Sequence, residues 1–194
     1  CLDQMQSALE RVDDDIEAHN IDDPALVFLG DYVDRGPKSA QVLEELVQLS
    51  LSNPDDVVCL MGNHERMMLD FLDTPLKAGP RWLRNGGVET LESFGIAGLE
   101  SGAEPEACEE LWDALPEGTE PWLRNLPMRW SSGNLHCVHA ALDPSKPIAQ
   151  QSQEVMLWGC DTFLKSARTD GNWVIHGHTV VDRAVWEQSR ISID

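Results

Sequence analysis

Seven residues of this 194-residue chain, all of types that can bind cations, hold anions or carry protons, fall in four short stretches. Asp31, Asp34 and Arg35 lie in LVFLGDYVDRGP (26–37), Asn63 and His64 in GNHE (62–65), His139 in HAAL (139–142) and His178 in HGHT (176–179). Each stretch follows an apolar run, which would place its polar groups just beyond the carboxyl end of a strand, where open α/β sheets bind ligands. Carboxylate, amide and imidazole donors gathered this way suit manganese, zinc or iron, whereas calcium prefers all-oxygen ligands. Each residue also has a plainer reading. Asp and Gly are common in turns, Asp34 with Arg35 could be a surface pair, and a lone His139 after LHCV could be a core histidine. Nearby, His136 reads as structural, His176 as a strand residue and His19 as an exposed helix end. Glu65 reads as a hydrogen-bonding partner rather than a ligand, and Met67 and Met68 as core filler.

These groups need strands to carry them and helices to cover the strands. Leu2, Met5, Leu9, Val12 and Ile16 recur at three- and four-residue spacing, which predicts an opening amphipathic helix. ALVFL and VVCLM read as short buried strands, each followed by a loop and a helix (PKSAQVLEELVQLSLS and ERMMLDFL), with Pro37 suited to a first turn. This alternation predicts an α/β class with a largely parallel core sheet. Residues from about 76 to 127, holding Trp82, Trp112 and Trp122, read as a mainly helical insertion. After it, MRWSSGNLHCVHAAL predicts two strands joined at SSGN, WVIHGH another strand, and RAVWEQSRISID a closing hairpin. Without an internal repeat or low-complexity linker, one domain over 1–194 is expected.

Composition narrows the function. Fourteen basic against 34 acidic residues give a formal charge of −20, which disfavours nucleic acid and anionic membrane surfaces as partners. Residues 100–120 hold eight acids and no Lys or Arg, most simply a solvated acidic face. No apolar run is long enough to span a bilayer and the start lacks a signal-peptide pattern, so a cytoplasmic protein is expected. Cys1, Cys59, Cys108, Cys137 and Cys160 form no CxxC pair and read as reduced, mostly buried thiols.

Taken in order, GDYVDRG (30–36), GNHE (62–65), HAAL (139–142) and HGHT (176–179) resemble the binuclear, calcineurin-like metallophosphoesterases. The nearest resemblance is to the phosphoprotein phosphatase branch that includes the phage lambda enzyme and bacterial serine/threonine phosphatases. WLRNGGVETLESFG in the insertion is similar to the bacterial members. The resemblance implies layered sheets in a β-sandwich flanked by helices, and two divalent metal ions, with manganese expected and zinc or iron as alternatives. It makes Asp31 the carboxylate shared by both metals, and Asn63, His139 and His178 the other ligands of the second. Asn63 would also contact phosphate. His64 becomes the general acid, oriented by Asp34, and Arg35, with its planar fork, the phosphate clamp.

The implied activity is hydrolysis of phosphoserine, phosphothreonine or small phosphate esters by a metal-activated water, with a phosphoprotein or phosphate ester as partner. Two alternatives stand beside it: a diadenosine tetraphosphate hydrolase, which the intact VDRG disfavours, and a non-catalytic metal- or phosphate-binding module. The family's opening Gly-Asp-x-His-Gly is absent, and relatives continue past RISID, so a fragment lacking that motif and a C-terminal strand is expected. Met61 and Cys160 stand where relatives carry phosphate-binding arginines. Arg66, Arg84 and Arg168 are the candidates to compensate.

Overall fold

The structure, a computed structural model, describes residues 2–100 and 102–194, so Cys1 lies outside the described residues. The chain falls into two compact units. The first comprises residues up to Leu26 with Tyr32–Val58 and His64–Asn125; the second comprises Val27–Asp31, Cys59–Asn63 and Leu126–Asp194.

The first unit is helical. Helix α1 spans Leu2–His19, as its periodicity predicts, yet buries no residue completely. Helix α2 spans Ser39–Ser52 and buries Val42, Leu43, Leu46 and Val47 on one face. Pro37 lies before the helix instead of in its first turn, because residues 33–38 form bends and turns that delay the helical start to Ser39. Helix α3 covers Asn63–Asp73. The segment expected to be a helical insertion contains α4 (Pro75–Trp82), a wide π-helical turn (Leu83–Gly87), α5 (Val88–Ser93), α6 (Glu104–Ala114) and α7 (Thr119–Arg124). Leu46, Met68, Leu69, Phe71, Trp82, Leu91, Leu111 and Leu123 are fully buried, and Phe71 stacks on Trp82 with ring centroids 4.7 Å apart. Along α6, Ala107, Cys108 and Leu111 point inward while Glu106, Glu109, Glu110 and Asp113 are exposed, a solvated acidic face.

The second unit is built on a five-stranded sheet in the order β3-β4-β5-β7-β6. Its strands are β3 (Arg129–Ser132), β4 (Leu135–Val138), β5 (Trp173–His176), β6 (Val185–Glu187) and β7 (Arg190–Ser192). Pairings β4–β5 and β5–β7 are parallel; β3–β4 and β6–β7 are antiparallel. The sheet is therefore mixed, parallel only in its middle, because the two hairpins supply its edges. Helix α8 (Gln153–Trp158) precedes β5, and Ser152 caps it by accepting a bond from Val155 N–H. Val138, Ala141, Leu142, Met156, Phe163 and Val174 form the core. Strands β1 (Leu26–Phe28) and β2 (Val57–Cys59) make a separate two-stranded sheet.

Among the described cysteines, Cys59, Cys108 and Cys137 are buried free thiols and Cys160 is half-buried. Burial pushes the Cys137 thiol up to about 11. No helix among the described residues is long and apolar enough to cross a membrane.

Candidate active site

In the second unit, the strand-following residues Asp31, His139 and His178 converge, their ligand atoms all lying within 4.8 Å of one another. His139 is the centre. Its Nε2 lies 2.8 Å from Asn63 Oδ1, 3.2 Å from His178 Nδ1 and 3.4 Å from Asp31 Oδ1. Its Nδ1 lies 2.8 Å from the carbonyl oxygen of Leu29, which can only accept, so Nδ1 carries the proton and Nε2 a lone pair. Burial also holds the His139 ring below the usual histidine range, against the opposing pull of the Asp31 charge. A neutral imidazole lone pair thus faces a carboxylate and an amide oxygen. Such a gathering of acceptors is repulsive without a positive charge among them, and the Nδ1 bond to a carbonyl is the usual way a ligating histidine is oriented. The donor set fits a divalent cation of the manganese, iron or zinc kind.

The local backbone lets these tips meet. Gly30 has φ 101°, and a Cβ there would lie 2.6 Å from Gly62 Cα and 3.0 Å from His139 Nδ1. Only glycine allows that approach. Asp31 (φ 60°) and His178 (φ 63°) adopt the left-handed conformation that L side chains avoid. Strain of about 1–2 kcal/mol per residue persists only where surrounding contacts hold it, and it collects at functional sites.

The second group of expected residues lies together in the first unit. His64 Nδ1 is 2.5 Å from Asp34 Oδ2, and both side chains are buried. An Arg35 guanidinium N–H donates to His64 Nε2 across 3.1 Å, so Nδ1–H points at Asp34. Asp34 and Arg35 also have positive φ, 75° and 60°. Burial raises the Asp34 carboxyl above its usual range, while bonds from His64, Thr90 and Trp82 work to keep it ionised. Trp82 Nε1–H lies 3.0 Å from Asp34 Oδ1, and Thr90 Oγ1–H donates to the same oxygen across 2.8 Å. Thr90 Oγ1 in turn accepts the Asp34 backbone N–H at 2.8 Å. Sequence reasoning did not single out Thr90 and read Trp82 only as part of the insertion. The signal was WLRNGGVET, which brings both residues to one carboxylate by turning at Gly86 (φ 109°).

Glu65 has the bonding role expected of it. It is fully buried, and its Oε1 accepts the N–H groups of Tyr32 (2.6 Å) and Val33 (3.2 Å), fixing the loop between Asp31 and Asp34. His176, at the end of β5, is buried with Nε2 2.8 Å from Ser192 Oγ and its ring edge against Phe163. His136 bonds Ser131 Oγ and Asn172 Oδ1, and His19 bonds the Asp15 carbonyl at an exposed helix end. Of the arginines considered as substitutes, Arg66 is paired with Asp70 and Asp73. Arg168 is buried against Asp170 and the carbonyls of Asp143 and Lys146. Arg84 shares a cleft with Arg35.

Comparison with known proteins places the chain in a family. A protein serine/threonine phosphatase from Saccharomyces cerevisiae, described as similar to human phosphatase PP5, superposes with a TM-score of 0.52 at 18% identity, covering 87% of this chain and 57% of that one. A metallophosphoesterase from Sphaerobacter thermophilus has a TM-score of 0.42 at 16% identity over 91% of this chain and 68% of its own. A Caenorhabditis elegans protein provisionally named a serine/threonine-protein phosphatase is 52% identical over 40 residues, 21% of this chain and 11% of its own. The chain therefore spans a small part of the worm protein and little more than half of the yeast one. The profile of the calcineurin-like phosphoesterases matches residues 2–182. The chain belongs to the calcineurin-like phosphoesterase family.

Proposed function

We propose that this chain is the phosphoesterase domain of a metal-dependent phosphomonoesterase of the phosphoprotein phosphatase branch, acting on phosphoserine, phosphothreonine or small phosphate esters. The observation that carries the reading is the acceptor cluster around His139 Nε2, whose geometry suits a divalent cation. Support for the branch comes from the intact VDRG and from the phosphatase names of the worm and yeast proteins.

Asp31, Asn63, His139 and His178 would hold one cation, with Asp31 shared with a second, and manganese is the metal we expect. When bound, such cations supply positive charge that stabilises phosphoryl oxygens and makes water more acidic. The chain's own residues do the rest. Arg35 presents parallel N–H groups to two phosphoryl oxygens. When Arg35 turns to phosphate, His64 Nε2 is released to carry a proton and deliver it to the departing alkoxide oxygen. Asp34 holds Nδ1–H of His64 and stabilises the imidazolium; Trp82 and Thr90 keep that carboxylate in place.

The test is hydrolysis of a phosphoserine peptide and of diadenosine tetraphosphate by the complete protein with Mn²⁺, repeated after EDTA. Peptide turnover lost in EDTA and restored by Mn²⁺ is the expected result. Preference for the dinucleotide would reassign the substrate, and hydrolysis that survives EDTA would overturn the metal mechanism.

A further inference from the structure

In a chain with 14 basic and 34 acidic residues, an arginine without a carboxylate partner is informative. Among the described residues Arg11, Arg35, Arg84, Arg129 and Arg183 have none, and of these Arg35 and Arg84 share one cleft. Arg35 and Arg84 line a cavity of about 490 Å³ in the first unit, together with Leu83, Asn85, Val88 and Glu89. Among the described residues, the guanidinium of Arg35 bonds only the His64 ring and Arg84 makes no hydrogen bond or ion pair. Glu89 lies on the same wall and pairs with neither. By contrast, Arg66, Arg124, Arg168 and Arg190 are each tied to a carboxylate.

The backbone builds this pairing. Arg35 N–H donates to the Gly86 carbonyl across 3.2 Å, and a Cβ on Gly86 would lie 2.7 Å from Arg35 Cγ. The Arg35 stem therefore runs along the glycine, and the wide turn at Leu83–Gly87 carries Arg84, two residues earlier, to the same cleft. Two arginines lining one cleft carry like charges, and an anion between or beside them offsets their repulsion. They also make a local positive field on a molecule whose net charge repels anions at long range.

We propose that this cleft is a second-anion subsite, in which Arg84 binds a carboxylate or phosphate carried by the substrate next to the phosphoryl group held by Arg35. The proposal rests on the phosphatase reading for the role of Arg35. It specifies substrate class: phosphopeptides with an adjacent Asp, Glu or second phosphoresidue over neutral ones.

The experiment compares kcat/KM for three phosphoserine peptides differing only at the neighbouring residue: Ala, Asp or phosphoserine. Wild-type protein should favour an anionic neighbour about five- to tenfold, the range a partly shielded charge pair supplies. Arg84→Ala should bring the ratio near one, Arg84→Glu should invert it, and Arg84→Lys should retain part of it. Preference for phosphoserine alone would identify a second phosphate as the ligand, and preference for both a general anion site. Ratios near one in wild type, or unchanged in Arg84→Ala, would overturn the subsite. Competition between non-hydrolysable phosphonate versions of the same peptides, read as binding, decides the subsite even if no peptide is hydrolysed. That last result would overturn the phosphatase reading on its own.

Discussion

At the scale of single residues, two buried polar clusters are held by different means. His139 is fixed by a backbone carbonyl on one nitrogen and presents a lone pair on the other, the state a cation needs. His64 is fixed by a carboxylate, the partner an imidazole needs if it is to hold an extra proton. Substitutions should separate these roles. His64→Asn should lower turnover at least about 10²-fold while Mn²⁺ content stays near normal, because general acid catalysis is worth about 10²–10⁴. Loss of metal in that variant, measured by elemental analysis, would make His64 a ligand. The histidines' surroundings could be read along the chain only in part: the resemblance carried by HAAL and HGHT marked His139 and His178, but nothing local told that Nδ1 of His139 would find Leu29, 110 positions earlier.

At the scale of elements, glycine decides how closely the strand tips meet. Gly30→Ala places a methyl 2.6 Å from Gly62 Cα in a backbone conformation that alanine resists. It should cost about 2 kcal/mol or more of stability, read as a lower urea midpoint, and weaken Mn²⁺ binding as well. Unchanged stability and binding would mean that the tips need no such approach. Periodicity made most elements legible: α1, α2 and the hairpins at SSGN and EQSR follow from apolar spacing and turn residues. Long-range choices were less visible. Which strand pairs with β5 on each side depends on contacts distant in sequence, so a mixed sheet was read as largely parallel. The start of α2 at Ser39 and not at Pro37 follows from the positive φ values at Asp34 and Arg35, which local propensity disfavours. The Trp82 and Thr90 bonds to Asp34 were hidden for a similar reason, since 48 and 56 residues separate the partners.

At the scale of the whole molecule, a formal charge of −20 attracts divalent cations and repels anions at long range, a repulsion that the two arginines of the Arg35 cleft would offset locally. The account stands on the acceptor cluster holding a cation, and diffuse attraction to an acidic surface must be told apart from it. Calorimetric titration of Mn²⁺ into wild-type protein and His139→Ala at 0.15 M salt, where surface attraction is screened beyond about 8 Å, makes that distinction. A discrete site in wild type that weakens at least about tenfold in the variant is the predicted result. Equal binding by the two proteins, or no discrete site in either, would contradict it.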